Sequence, residues 1–122
     1  MNRYERGLKN LEKIDGRTGV EVIESLRDIA PDFAKYLVEF PFGDIYDRND
    51  LDSRSREIAT IAALTAMGSA STQLKVHVRA GLNVGLSKQE IVEIIMQMSV
   101  YAGFPAALNA LFVAREVLQD EK

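Results

Sequence analysis

The stretch Ile94–Ala114, IIMQMSVYAGFPAALNALFVA, decides how this chain folds. It carries no formal charge and is long enough to read as a membrane span. Gly103-Phe104-Pro105 in its middle argues otherwise, because glycine ends helices and proline begins them. Gln97, Ser99 and Asn109 interrupt it further with polar groups. The stretch therefore predicts two buried helices meeting at Gly103-Phe104-Pro105, and no membrane span. Pro105 opens the second, which carries Leu108, Leu111, Phe112 and Leu118.

Working back towards the amino terminus, Ser87-Lys88-Gln89-Glu90 is a capping box that opens the preceding helix. Ile91, Ile94, Ile95 and Met98 share one face of that helix, and Val92, Met96 and Val100 share another. Only Glu90, Glu93 and Gln97 form a polar stripe. Two apolar faces on one helix predict a core face plus a subunit contact. Ser71 is placed to cap the helix before it, which runs to about Gly85. The helix before that is capped by Asp52 or Ser53 and stops at Gly68. Between Ile58 and Met67 it has no charge, so it is expected at the centre of a core.

The amino-terminal third repeats the helical pattern. Tyr4, Leu8 and Leu11 mark a first helix ending near Gly16, and Val22, Ile23, Leu26 and Ile29 mark a second. Ala30-Pro31 breaks the chain, and Pro31 starts a third helix with Phe33, Leu37 and Phe40 on its apolar side. Pro41 and Gly43 end or kink it, and residues 44–52 read as a polar loop. No alternating run supports a strand. The expected fold is all-α: a compact bundle of about six to seven helices in a single domain covering residues 1–122.

Composition narrows the function classes. The 122 residues contain no cysteine, which excludes disulfides, thiolate metal sites, cysteine nucleophiles and dithiol redox chemistry. One histidine, His77, excludes a His-rich metal site, so no metal is expected. The formal net charge of −3 offers no basic field for a polyphosphate, so no nucleic-acid partner is expected. A cysteine-free chain without a signal peptide suits the cytoplasm. No phosphate loop, GxGxxG, HExxH or EF-hand pattern is present.

The chemistry centres on two residues. His77 lies at the edge of the face formed by Leu74, Val78 and Gly81, whereas Lys75, Arg79 and Asn83 point elsewhere. Two readings stand: a core histidine bonded to a carbonyl, or a general acid/base in a cleft, since imidazole titrates near neutral pH. Glu57 opens an otherwise uncharged helix. It either complements the helix dipole or reaches His77 across the helix pair and sets its tautomer. Arg54, Arg56 and Arg79, with Arg48 and Lys75, are surface charges unless one of them lines the His77 cleft and selects a carboxylated substrate. Tyr101 and Asn109 read as core groups with satisfied hydrogen bonds.

Several segments then resemble one family. Arg56-Glu57, Ala62-Ala63-Leu64, Gln73-Leu74-Lys75-Val76-His77-Val78-Arg79, Ala80-Gly81-Leu82-Asn83 and Val100 through Ala110 are similar to the carboxymuconolactone decarboxylase family, over roughly residues 38–117. The resemblance implies an all-α, alkylhydroperoxidase-like (AhpD-like) fold assembling into a ring-shaped homo-oligomer, commonly a hexamer built as a trimer of dimers. The namesake reaction removes CO2 from 4-carboxymuconolactone in the protocatechuate branch of aromatic catabolism, without a cofactor.

What carries over to this chain is Glu57 and His77 as catalytic residues, with Arg54, Arg56 or Arg79 as substrate-binding cations. The alternatives are a related lyase or isomerase on another small carboxylated substrate, and a non-catalytic oligomeric protein of the same fold. In the related alkylhydroperoxidases a Glu precedes a Cys-x-x-Cys-x-x-x-His motif. Here Ala70 and Gln73 occupy the two cysteine positions, and the spacing from Glu57 to His77 is one residue longer. Thiol peroxidase activity is thereby excluded, and a peroxiredoxin-type label would be inherited from the superfamily only.

Overall fold

The computed structural model describes residues 1–120. These residues form six α-helices and one π-helical segment, with no strand among them. The helices are α1 (Arg3–Ser25), α2 (Pro31–Leu37), α3 (Ser53–Met67), α4 (Ser71–Asn83), α5 (Lys88–Ala102) and α6 (Phe104–Asp120), with the π-helical segment Val38–Ile45 following α2 directly. The chain divides into two compact units, Met1–Ser53 and the part from Arg54 onward.

In the first unit, Asn2 caps α1 by accepting from the Glu5 backbone N–H at 2.8 Å. Gly16 interrupts the helix with φ 65° and ψ −148°, a conformation that L side chains resist, so α1 is two helical stretches joined at a kink. The expected helix boundary near Gly16 is present in this form. Pro31 stands at the start of α2, where its missing N–H costs nothing. The apolar side expected there is reversed. Ala34 and Val38 are buried, whereas Phe33 and Phe40 are exposed. The small Ala34 lets the short helix approach its neighbours closely, which the larger rings would not.

No kink or stop occurs at Pro41. The backbone widens instead, and the Tyr46 N–H bonds the Pro41 carbonyl five residues back at 2.7 Å. Proline supplies no N–H for a tighter turn, so the wider one leaves fewer groups unsatisfied. Asn10 donates to the Phe42 carbonyl at 2.8 Å, and Arg6 donates to the Gly43 carbonyl at 2.8 Å. The Arg3 guanidinium grips Asp44 from its Nε at 3.0 Å to both carboxylate oxygens.

That grip has a pH signature. Hydrogen bonding from Arg3 holds the Asp44 carboxyl below its ordinary value of 3.8. A carboxyl whose folded value is depressed favours the folded state above its unfolded value. The contribution is lost as pH falls through the lower, folded value. Asp44→Asn should therefore remove part of the acid sensitivity below about pH 4. Urea midpoints at pH 7 and pH 3, compared between wild type and variant, measure it. Equal acid loss in both proteins would exclude this pair as a contributor.

The second unit carries a continuous core. Ile61 of α3, Leu74 and Val78 of α4, Ile91 and Ile95 of α5, and Ala107, Ala110, Ala114 and Val117 of α6 pack together. The expectation that α3 is central fails: only Glu57, Ile61 and Thr65 are buried, along one line of the helix, whereas Ala59, Ala63, Ala66 and Met67 on its other side are exposed. Gly81 sits on α4 where an added Cβ would meet Leu86 and Ile61 at 3.0 and 3.1 Å, so its lack of a side chain lets α4 lie close against them. The stretch quoted at the outset divides at Gly103, with φ 94°, into α5 and α6. No helix of the described residues is long and apolar enough to cross a membrane. The capping box forms as read: Glu90 N–H donates to Ser87 Oγ at 3.0 Å, and Ser87 N–H donates to Glu90 Oε1 at 2.9 Å.

Two local expectations fail. Ser71 does not cap α4. Ala70 stands at that position with no side-chain cap, because the helical turn begins at Ser71 itself. Tyr101 and Asn109 are not core groups, since both are exposed. Tyr101 lies on the face of α5 away from the buried Ile91 and Ile95, and Asn109 lies at the edge of the core face of α6.

Candidate active site

The site grows from two neighbouring helices of the second unit. Glu57 is the fifth residue of α3, just beyond a first turn that contains no acidic residue. It points inward: its side chain is 1% exposed. Burying a carboxylate is costly unless it is bonded. His77, twenty residues on and in the middle of α4, supplies the bond. Its Nδ1 lies 2.7 Å from Glu57 Oε1. A carboxylate oxygen is an acceptor, so Nδ1 carries the bridging hydrogen. The His77 side chain is 17% exposed, so one partner is sealed and the other reaches towards the surface.

His77 bonds a carboxylate, not a backbone carbonyl, at Nδ1. Glu57 lies beyond the first turn of α3, against the helix-dipole reading, and reaches His77. A buried carboxylate of this kind fixes the tautomer and orientation of an imidazole, the usual preparation for proton transfer.

The arginines are placed differently from one another. Arg54 forms an ion pair with Glu90, tying the first turn of α3 to the first turn of α5. Glu90 is held below the ordinary carboxylate range, first by the Ser87 backbone N–H and next by Arg54. Sequence reading missed that partnership. The capping box explains Glu90 locally, and nothing in the chain announces a partner 36 residues away. Arg56 and Arg79 are half-buried, Arg56 beside Glu57 in sequence and Arg79 two residues beyond His77. Lys75 pairs with Glu116 at 2.6 Å on the surface.

Fold and geometry thus define an all-helical protein that presents an imidazole backed by a buried carboxylate. Comparison with known proteins gives the particular family. The profile of the carboxymuconolactone decarboxylase family matches residues 31–116, and the chain belongs to that family. It is 36% identical over 119 residues to the 4-carboxymuconolactone decarboxylase of Acinetobacter baylyi, covering 97% of this chain and 88% of that protein. It is 36% identical over 100 residues to an "uncharacterized 15.0 kDa protein in nqo9-nqo10 intergenic region" of Paracoccus denitrificans, covering 81% and 75%. A nitrosuccinic acid decarboxylase of Metarhizium robertsii is 26% identical over 121 residues, covering 96% and 82%. These relationships place the chain among the carboxy-lyases, with a decarboxylase-type function.

Proposed function

We propose that this protein is a cofactor-free decarboxylase of a carboxylated lactone, with 4-carboxymuconolactone as the first substrate to test. The observation that carries the reading is the His77–Glu57 contact, in a chain similar along nearly its whole length to a decarboxylase of that lactone. In such a substrate the departing carboxylate sits on a saturated carbon joined through a carbon–carbon double bond to the lactone carbonyl. The bond from that carbon to the carboxyl carbon breaks, and CO2 leaves. The electron pair passes to the carbonyl oxygen as a dienolate. Protonation at carbon completes the reaction. The conjugated carbonyl accepts the electrons, so the chemistry needs no metal or organic cofactor.

The protein's task is to stabilise the oxyanion and deliver the proton. His77 carries that proton, with Nδ1 turned to Glu57 and exchange falling to Nε2. Glu57 holds the ring. Arg54, Arg56 and Arg79 are the candidates to receive the second carboxylate, and Arg54 also pairs with Glu90. The family match spans residues on both sides of Ser53, which supports one functional domain. The relationship to a nitrosuccinic acid decarboxylase favours, as a second reading, a different small carboxylated substrate on the same machinery.

The test generates 4-carboxymuconolactone in situ and follows its loss together with CO2 release. Catalysis by the purified protein is expected. A folded wild-type protein that leaves the lactone untouched would transfer the assignment to the second reading. Glu57→Gln keeps the side-chain length beside His77 but replaces the carboxylate with a neutral amide, and should lower kcat/KM about 10- to 100-fold, the range for lost orienting partners. An unchanged kcat/KM would remove Glu57 from the mechanism.

Assembly into a ring of like subunits belongs to the same proposal. Its support is a row of exposed apolar side chains, Met96, Val100 and Tyr101 on α5 with Phe104, Leu108 and Phe112 on α6. Met96→Glu should convert the assembly to smaller species in light scattering. An unchanged mass would exclude this face as the contact.

A further inference from the structure

Thr65, near the end of α3, is 1% exposed, and its hydroxyl has no hydrogen-bond partner among the described residues. Three other helical hydroxyls bond their own helix. Thr60 donates to the Arg56 carbonyl at 2.9 Å, and Ser25 and Ser99 donate to carbonyls three residues back at 2.7 Å each. Thr65 does not fold back in this way, although it shares a helix with Thr60. A buried hydroxyl left unbonded is costly, and native proteins rarely tolerate it.

A second observation lies beside it. Thr65 lines a cavity of about 20 Å³ together with Ala70, Ser71, Leu74 and Asn109. Ala70 and Ser71, at the start of α4, line the same space. That helix has no side-chain cap, since Ala70 occupies the capping position. Its first internal bond runs from the Leu74 N–H to the Ala70 carbonyl at 2.8 Å. The N–H groups of Ser71, Thr72 and Gln73 therefore need acceptors from outside the helix. One cavity thus brings together an unbonded hydroxyl and a helix start without a cap.

We infer that a single ordered water occupies this cavity, bonded to Thr65 Oγ1 and accepting from the first turn of α4, so that it serves as the missing cap. The volume exceeds the roughly 10–15 Å³ that one water requires. Asn109 or Ser71 at the mouth completes its bonding. Water fits better than an anion because no cationic side chain lines this cavity. The site tethers α3, α4 and α6 at Thr65, Ser71 and Asn109. It stands independently of the proposed reaction, because its test reads hydration and stability, not turnover.

Two variants and one direct observation test it. Thr65→Val keeps the shape and deletes the hydroxyl, whereas Thr65→Ser keeps the hydroxyl. A crystal structure of the wild type should show a water within hydrogen-bond distance of Thr65 Oγ1, and the Thr65→Val structure should lack it. Thr65→Val should lower the folding equilibrium constant about 5- to 30-fold in urea titrations, and Thr65→Ser should lower it less. A Thr65→Val protein as stable as the wild type overturns the inference. So does a wild-type structure in which Thr65 bonds the Ile61 carbonyl with no water beside it.

Discussion

His77→Asn should lower kcat/KM for decarboxylation about 10²- to 10⁴-fold while the protein stays folded, the range for loss of a positioned acid/base. Asparagine is the informative replacement because its amide nitrogen falls near the Nδ1 position and can still donate to Glu57. The buried carboxylate thereby keeps a partner, but the side chain carries no titratable proton to deliver. His77→Ala should show a similar kinetic loss and a structural one. It strands the Glu57 carboxylate, 1% exposed, without its imidazole. Removing one member of such a buried pair costs about 3–5 kcal/mol. The two variants separate roles that a single alanine substitution would merge. Steady-state rates and urea midpoints measured on both decide the matter. A His77→Asn protein that turns over at the wild-type rate would reduce His77 to a structural residue.

Gly7→Ala should be the most damaging single-methyl change in the first unit. An added Cβ at residue 7 would lie 2.2 Å from the Val38 carbonyl oxygen and 2.9 Å from its carbonyl carbon. Both are backbone atoms that no rotamer change can move aside. The π-helical segment would have to retreat from α1 and loosen the bonds that Arg6 and Asn10 make to the Gly43 and Phe42 carbonyls. Overpacking of this kind costs about 1–3 kcal/mol, and the closeness here places Gly7→Ala at the upper end. The measurement is the urea midpoint, with the denaturant slope unchanged if the transition stays two-state. Gly68 is the contrast. Unlike Gly7, it lies outside ordinary α geometry, with φ +74°, and an added Cβ there meets nothing within 4 Å. A Gly7→Ala midpoint equal to that of wild type would mean the segment yields at no cost.

Much of the fold is legible in the chain because its signals are local. The break at Gly16, the start at Pro31 and the stop at Gly68 are each written within a few residues of where they act. The Ser87–Glu90 capping box is of the same kind. The charge-free run from Ile94 to Ala114 resolves into two helices because one glycine takes a positive φ that the surrounding residues avoid. The family resemblance, carried by Arg56-Glu57, the segment around His77 and the segment after Val100, agrees with the profile match over residues 31–116.

The misses share one cause. Phe33 and Phe40 are large and apolar yet exposed, and Ala34 is small yet buried. Helical spacing groups residues by face without saying which face another element covers. Tyr101 was misread for the same reason. Ser71 and Ala70 differ by one position at a helix start, and propensity favours serine as the cap although the turn begins one residue too early.

By itself, the sequence determined the all-helical class, most helix ends and the short choice of chemistry open to a chain with one histidine and no cysteine. These follow from bonding between residues three to five apart, and from composition. Only the tertiary structure decided that Glu57 is sealed from water against His77, that Arg54 is engaged by Glu90, and that Pro41 sits in a widened turn held by Arg6 and Asn10. Those contacts join residues 20 to 37 positions apart. Their partners are chosen by how helices pack, and a side chain's neighbours across that packing leave no mark on the spacing along its own helix.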